Sequence, residues 1–325
     1  MDDRPYIILT GGAGFIGSAV LRSLNNEGIK KVVVVDQLGK TEKWKNLVGK
    51  QFADCIHKDA LFDWLQGKER EIHALIHLGA CSSTLETDAH YLLENNYRYS
   101  VRLAQYALNH GHRFIYASSA ATYGDGSQGF SDHHDRLDLL EPLNMYGYSK
   151  HLFDLWLKEN NCLNQVVGLK YFNVYGPNEY HKGRMCSALV KMVSDVLKMG
   201  TISLFKSTEP EKYKDGNQVR DFIYVKDVAK MTTQFLNNQV TGIFNIGMGT
   251  PHTWNHLAQA VFKALYKEEH IDYIDVPQDL VGKYQNYTCA DMEKYKKSNL
   301  LSPSYPWEES IIDYVRNYLL LGKYW

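Results

Sequence analysis

A short apolar run, Tyr6-Ile7-Ile8-Leu9-Thr10, stands near the start of the chain, and similar β-rich runs return at 31–35, 74–77, 113–117 and 166–171. Uninterrupted apolar runs of this length predict strands buried on both faces. Between them lie stretches with helical spacing: 15–24 directly after glycines, an amphipathic 91–108, and 146–158 following Pro142. This alternation predicts an α/β fold, a doubly wound parallel sheet with crossover helices on both faces. After Tyr171 the pattern loosens into a loop at 173–184, a helix at about 187–199 and a polar surface loop at 207–218. Short apolar segments at 222–225 and 243–246 are expected to return to the sheet. The helical stretch 254–265 and the aromatic-rich end are expected to form a smaller lobe. The expected division is a first domain over 1–173, rejoined by 219–249, with an interwoven C-terminal lobe from 174–218 and 250–325.

Composition narrows this picture. With 325 residues and 44% hydrophobic residues, the chain can bury a sizeable core. Its 36 Lys and Arg nearly balance 37 Asp and Glu, so no global field draws it to nucleic acid or an anionic membrane. An anionic ligand must be held locally. Five scattered cysteines, with no C-x-x-C pair, argue against a disulfide framework and a zinc site and suit a reducing compartment. An acidic start without a signal-like apolar stretch, and no run long enough to cross a bilayer, lead to the expectation of a cytoplasmic protein. On that expectation the sequon at Asn286 is fortuitous. His133-His134-Asp135 reads as part of a polar loop, since adjacent histidines rarely chelate together and no third ligand is spaced for it.

The turn after the first strand, Gly11-Gly12-Ala13-Gly14-Phe15-Ile16-Gly17, has glycines at 11, 14 and 17. The first permits a tight turn, the second lets backbone approach a pyrophosphate, and the third lets helix pack on strand. The helix N-terminus then offers unpaired N–H groups to phosphates. The next strand ends about twenty residues on in Asp36, placed to meet an adenosine ribose. The pair predicts a Rossmann dinucleotide-binding domain over 1–173 and leaves the other lobe to bind a substrate. Asp36 favours NAD, but Lys40, Lys43, Lys45 and Lys58 follow and could receive a 2′-phosphate, so these residues leave NAD and NADP both open.

Tyr146 and Lys150 are four apart, on one helical face, where a cation beside the phenol is expected to lower its pKa and ready it for proton exchange. Ser118-Ser119 follow a strand at the sheet edge where ligands bind in doubly wound folds, and Ser119 is suited to hold a substrate oxygen.

The glycine turn, Ser118-Ser119 before Tyr123-Gly124, the Tyr146/Lys150 pair and Tyr171-Phe172-Asn173-Val174-Tyr175-Gly176-Pro177 together resemble the extended short-chain dehydrogenases that act on nucleotide sugars. Closer phrases are similar to the branch that epimerises ADP-heptoses at the sixth carbon in lipopolysaccharide synthesis. These phrases are 79–84, 117–124, His181-Lys182-Gly183, Arg220-Asp221-Phe222, 242–245 and 282–285. The resemblance implies an isomerase with Tyr146 and Lys182 as opposed acid and base, supported by Ser119 and Lys150. Inverting a carbinol needs hydride removed and returned on opposite faces, hence a proton managed from two directions.

The resemblance further implies that Gly11, Gly14, Phe15, Ile16, Gly17, Asp36, Gln37, Lys43, Lys58, Leu78, Gly79, Ala80, Cys81, Ser82, Asn95, Lys150, Val174 and Lys182 line the cofactor, which it makes NADP more than NAD. Ser119, Asn173, Arg184, Lys191, Phe205, Lys206, Ser207, Arg220 and Tyr284 would face the sugar nucleotide, and a homo-oligomer is expected. Against the family pattern, Lys191 replaces a usual His, Leu78 replaces a usual Glu, and the loops at 126–139 and 208–218 are longer. A UDP-hexose 4-epimerase would use the same Ser, Tyr and Lys. A dehydratase would need an acid pair where Ala120-Ala121 stand, and a dinucleotide-sensing regulator could dispense with Tyr146 and Lys150.

Overall fold

The computed structural model describes residues 5–278 and 285–325. Its strands are β1 (Tyr6–Thr10), β2 (Val32–Asp36), β3 (Asp54–His57), β4 (Ile72–His77), β5 (Arg113–Ser119), β6 (Val167–Tyr171), β7 (Asn173–Tyr175), β8 (Ile202–Phe205), β9 (Val219–Arg220), β10 (Phe222–Tyr224), β11 (Gly242–Ile246), β12 (His252–Thr253) and β13 (Ile271–Ile274). The helices are α1 (Phe15–Asn26), α2 (Leu61–Leu65), α3 (Ala89–Leu92), α4 (Tyr99–Asn109), α5 (Met145–Glu159), α6 (Ala188–Met199), α7 (Val225–Thr233), α8 (Trp254–Leu265), α9 (Glu293–Lys297) and α10 (Trp307–Tyr314). Seven strands pair in parallel in the order β11-β6-β5-β4-β1-β2-β3. The reversal of winding falls between β1 and β4, which is where a doubly wound sheet opens a crevice. No described helix is long and apolar enough to cross a membrane.

The apolar runs read from the sequence form the centre of this sheet. Ile8, Leu9, Val32, Val33, Val34, Leu75 and Ile76 are all fully buried, as two-sided coverage requires. The third strand gave no such signal. In Asp54-Cys55-Ile56-His57 the ends are exposed and the middle only half-buried, because β3 is the sheet's edge. Of the two segments expected to return, 243–246 does so within β11, whereas Phe222–Tyr224 pairs with Asn173–Tyr175 in a separate two-stranded ribbon. The peptide at Phe172 bonds to Ile246 and the chain then leaves the sheet, so β7 and β10 run beyond its carboxyl edge. The stretch 91–108 is helical but uneven: a wider π turn over 93–98 separates α3 from α4.

The longer loop after Gly126 covers the opposite edge with side chains. Asp132 accepts the N–H of Asn245 at 2.8 Å, His134 Nε2 accepts that of Ile243 at 3.0 Å, and Lys294 donates to the Ile243 carbonyl at 2.7 Å. These bonds satisfy the outward backbone of β11 without another strand, which protects an edge otherwise open to pairing. The His133-His134-Asp135 run thus has an edge-sealing role through His134. Burial holds His134 neutral, with its pKa lowered to about 4.

His77, buried at the end of β4, bonds to Thr10 Oγ1 at 2.6 Å and Ser100 Oγ at 2.8 Å, and burial lowers its pKa to about 3. An unfolded histidine takes up a proton near pH 6.5 and folded His77 does not, so stability is full above that pH and is lost as the pH falls toward 3. We expect a loss of up to about 1.4 kcal/mol per pH unit from His77 alone below about pH 6. Urea midpoints measured between pH 7.5 and 4.5 check this, and His77→Asn should flatten the dependence.

Candidate active site

The strand ends at the carboxyl edge surround a cavity of about 680 Å³. Its first wall is the glycine turn. Gly11 has φ +69°, and a Cβ there would sit 2.6 Å from the Gly79 nitrogen; one on Gly17 would sit 2.0 Å from the Gly11 carbonyl oxygen. Glycine at these points lets the turn after β1, the start of α1 and the end of β4 meet backbone to backbone. Helix α1 begins at Phe15 with no side-chain cap and no acid in its first turn, so its N-terminal dipole is left to the cavity. This is a cradle that a side chain would fill and a pyrophosphate fits.

Asp36, at the end of β2, accepts the N–H of Ala13 at 2.9 Å and of Gln37 at 2.7 Å, and pairs with Lys43 at 2.5 Å. Lys58 donates to Asn95 Oδ1 at 2.7 Å. All the residues expected around the cofactor line this cavity: the turn, Asp36, Gln37, Lys43, Lys58, Leu78 to Ser82, Asn95, Lys150, Val174 and Lys182.

At its centre the cavity meets Ser119, Tyr146 and Lys150. Asn144 caps α5 by accepting the Gly147 N–H at 2.8 Å, which starts the helix one residue before Tyr146 and sets Tyr146 and Lys150 on one face. Ser119 Oγ accepts the Ala121 N–H at 3.1 Å, turning the chain after β5, and hydrogen-bonds with Tyr146. The Tyr146 phenol departs from expectation. Its pKa is raised, by burial above all, with the Ser119 hydrogen bond acting the other way. The Lys150 ammonium donates to the Ala117 carbonyl at 2.9 Å instead of lowering the phenol. Burial brings Lys150 itself down to about 8, with Asp154 opposing the fall.

Lys182 enters the cavity from a loop between β7 and α6, half-buried with its Nζ 5.3 Å from the centre of the Phe15 ring. Two buried residues fix that loop. Glu179 accepts the N–H and hydroxyl of Ser187 and the Tyr314 hydroxyl, and Asn178 bonds to Ser18 and Trp325. Of the described residues expected to face the sugar nucleotide, Ser119 and Asn173 line the cavity, while Arg184, Lys191, Phe205, Lys206, Ser207 and Arg220 do not. Arg184 and Lys191 are exposed, and Lys206 pairs with Asp275 at 3.0 Å. Phe205 ends β8 and Ser207 lies just past it, both outside the lining, while Arg220 is buried with its guanidinium 5.7 Å from the Trp254 ring, itself a wall of the cavity. Tyr284 lies outside the described residues.

Several cavity residues escaped sequence reasoning. His181 lines the cavity and meets Asn46 at 3.3 Å, and Tyr91, Phe222, Trp254 and Leu257 complete the walls. Asn96, fully buried in the π turn, holds the Cys81 peptide at both ends, 2.9 Å each, and bonds to Ser149 at 3.0 Å. A polar residue within an amphipathic stretch was its only sequence trace, and Asn95 beside it carries the same trace.

Fold and cavity define a class: a doubly wound dinucleotide-binding fold with a Ser, Tyr and Lys group at the carboxyl edge of its sheet. The match of residues 7–247 to the model of the NAD dependent epimerase/dehydratase family shows that the chain belongs to that family, whose cofactor is a nicotinamide dinucleotide. A curated relative from Nitratidesulfovibrio vulgaris, named ADP-L-glycero-D-manno-heptose-6-epimerase, is 49% identical over 96% of this chain and 97% of its own length. A protein of the same name from Fusobacterium nucleatum is 45% identical over 96% and 98%. The crystal structure of the Helicobacter pylori enzyme of that name superposes with a TM-score of 0.80 at 26% identity, covering 98% of each chain.

Gly17→Ala places a methyl group against the Gly11 carbonyl with nowhere to move. We expect loss of dinucleotide affinity by at least about tenfold, on the order of 1.4 kcal/mol, read by cofactor fluorescence titration.

Proposed function

We propose that the chain converts ADP-D-glycero-D-manno-heptose to ADP-L-glycero-D-manno-heptose by transient oxidation at the sixth carbon and re-reduction, with NADP as the bound cofactor. The observation that carries this reading is the placing of Tyr146 and Lys182 on one cavity from separate elements, α5 and the loop before α6, together with the dinucleotide cradle. Two acid/base groups on separate elements allow the hydroxyl proton to be handled from either side of the sugar. The names of the full-length relatives give the substrate.

When bound, the dinucleotide would be held by the glycine turn, Asp36, Lys43 and Lys58 and would supply reversible hydride chemistry. The chain does the rest. Tyr146 and Lys182 exchange the hydroxyl proton in the two orientations, Ser119 holds the sugar oxygen beside Tyr146, and Lys150 stabilises a phenolate once the proton has left. The preference for NADP rests on charge. Lys43 neutralises Asp36, and Lys58 stands on the same cavity, so a 2′-phosphate meets cations where a bare carboxylate would repel it. In the same proposal the glycine-turn domain binds the cofactor, and the junction with the C-terminal lobe, at Arg220 from the returning segment and Trp254 from the lobe, receives the nucleotide of the substrate.

Incubation of the purified protein with ADP-D-glycero-D-manno-heptose and no added cofactor, followed by chromatographic separation of the epimers, tests the reaction. Conversion is the expected result, and turnover of UDP-galactose in its place would overturn the substrate. Mass spectrometry of the dinucleotide released on denaturation should find NADP. Tyr146→Phe should keep the dinucleotide and lose at least about 10²-fold in kcat, and Lys182→Met should show a similar loss; wild-type kinetics in Lys182→Met would return that lysine to the surface of the loop.

A further inference from the structure

Tyr146, Lys150 and Asp154 follow one another at intervals of four on α5, one turn each, and so share the face turned to the sheet. Asp154 lies beneath the cavity and does not line it. It is fully buried and makes three polar contacts: it accepts the Tyr116 hydroxyl at 2.8 Å and the Ser118 hydroxyl at 2.7 Å, and pairs with Lys170 Nζ at 3.0 Å. Lys170, also fully buried, donates to Thr122 Oγ1 at 2.5 Å and lies 4.8 Å from the centre of the Tyr123 ring. Thr122 donates to the Ser119 carbonyl at 2.8 Å. The ion pair thus grips both serines at the end of β5, Ser118 from the carboxylate side and Ser119 from the ammonium side through Thr122.

A buried ion pair is costly to desolvate and weak evidence for stability, so its placing asks for another account. Lys150 supplies one: a third buried group whose ammonium is disfavoured by burial and favoured by the nearby carboxylate. We propose that Asp154 is a positioning residue for the reaction, its carboxylate held by Lys170 so that Lys150 stays protonated and Ser119 stays aligned beside Tyr146. This rests on the reading of Tyr146 and Lys150 as acid/base machinery and deepens it.

The other groups around the pair do not confuse its titration. His77 at the end of β4 and His134 in the edge loop have pKa values lowered to about 3 and about 4, His151 on α5 is also lowered, and Tyr116 and Tyr123 are raised well above the phenol range. Tyr146 is raised as well. Lys150, at about 8, is the group beside the ion pair that changes charge between neutral and mildly alkaline pH. Its ammonium is favoured by the carboxylate, so removing that charge lets the proton leave at lower pH.

The test uses Asp154→Asn, which leaves Lys170 buried without its partner, and the double variant Asp154→Asn/Lys170→Met, which removes both charges and so avoids that strain on folding. In protein carrying 13Cε-labelled lysine, the Lys150 resonance, assigned with Lys150→Met, reports its pKa without any substrate. We expect this pKa to fall by at least one pH unit in Asp154→Asn, and by less in the double variant, where loss of the Lys170 cation offsets part of the effect. The alkaline limb of kcat for the ADP-heptose should fall with it, so that Asp154→Asn loses at least about sixfold more activity at pH 8.5 than at pH 6.5 while KM and retained dinucleotide change little. An unchanged Lys150 titration, or a loss by the same factor at every pH, would overturn the proposal and leave Asp154 a packing residue. If the wild-type protein fails to turn over the ADP-heptose, the substrate reading falls, while the lysine titration still decides the role of Asp154.

Discussion

Three pieces of backbone meet at the carboxyl edge of the sheet with no room for a side chain between them: the turn after β1, the first turn of α1 and the end of β4. The Gly17 position lies against the Gly11 carbonyl, and the Gly11 position lies against the Gly79 peptide. This close approach fixes where α1 begins and turns its uncapped N-terminus to the cavity. It also sets the 78–82 peptide beside the dinucleotide cradle, where Asn96 holds Cys81 in place. A larger residue at either glycine would separate elements on which the rest of the site is measured.

From that wall the proposed chemistry extends to a strand end, a helix and a loop. Ser119 ends a central strand and Tyr146 and Lys150 sit on a capped helix, so their mutual geometry is set by regular structure. Lys182 comes from a loop, yet Glu179 and Asn178 root that loop in the core through bonds to α1, α6, α10 and the C-terminal segment. Glu179 is buried, and burial raises its carboxyl pKa against the pull of its hydrogen-bond donors. Anchoring of this kind suits the proposed role of Lys182, which needs its amine at a defined place while its neighbours Gly183 and Arg184 remain in solvent.

Electrostatics around the cavity follow burial more than pairing. The nearness of Lys150 and Tyr146 on one helical face suggested that the cation would lower the neutral phenol's pKa, but the ammonium gives one of its three N–H groups to the Ala117 carbonyl and both groups feel desolvation first. Histidines 77, 134 and 181 are all held neutral by burial, and each acts as a hydrogen-bonding side chain where a charge would be costly. The fixed charges that remain beneath the site, Asp154 and Lys170, come as a pair.

The sequence by itself determined the parallel sheet, the dinucleotide turn and the Tyr146–Lys150 helix, because each depends on short-range pattern: apolar runs, glycine spacing and a four-residue repeat. It missed β3, whose edge position leaves too few apolar residues to form a pattern, and it placed 222–225 in the main sheet because an apolar run does not name its partner strand. Only the tertiary structure decided that Asp132 and His134 seal the edge of β11, that Asn96 and not Asn95 carries the Cys81 peptide, and that Arg184, Lys191 and Lys206 stand away from the cavity. Those outcomes hang on which distant segments meet, and hydrogen bonds and burial across such contacts leave no periodic trace along the chain.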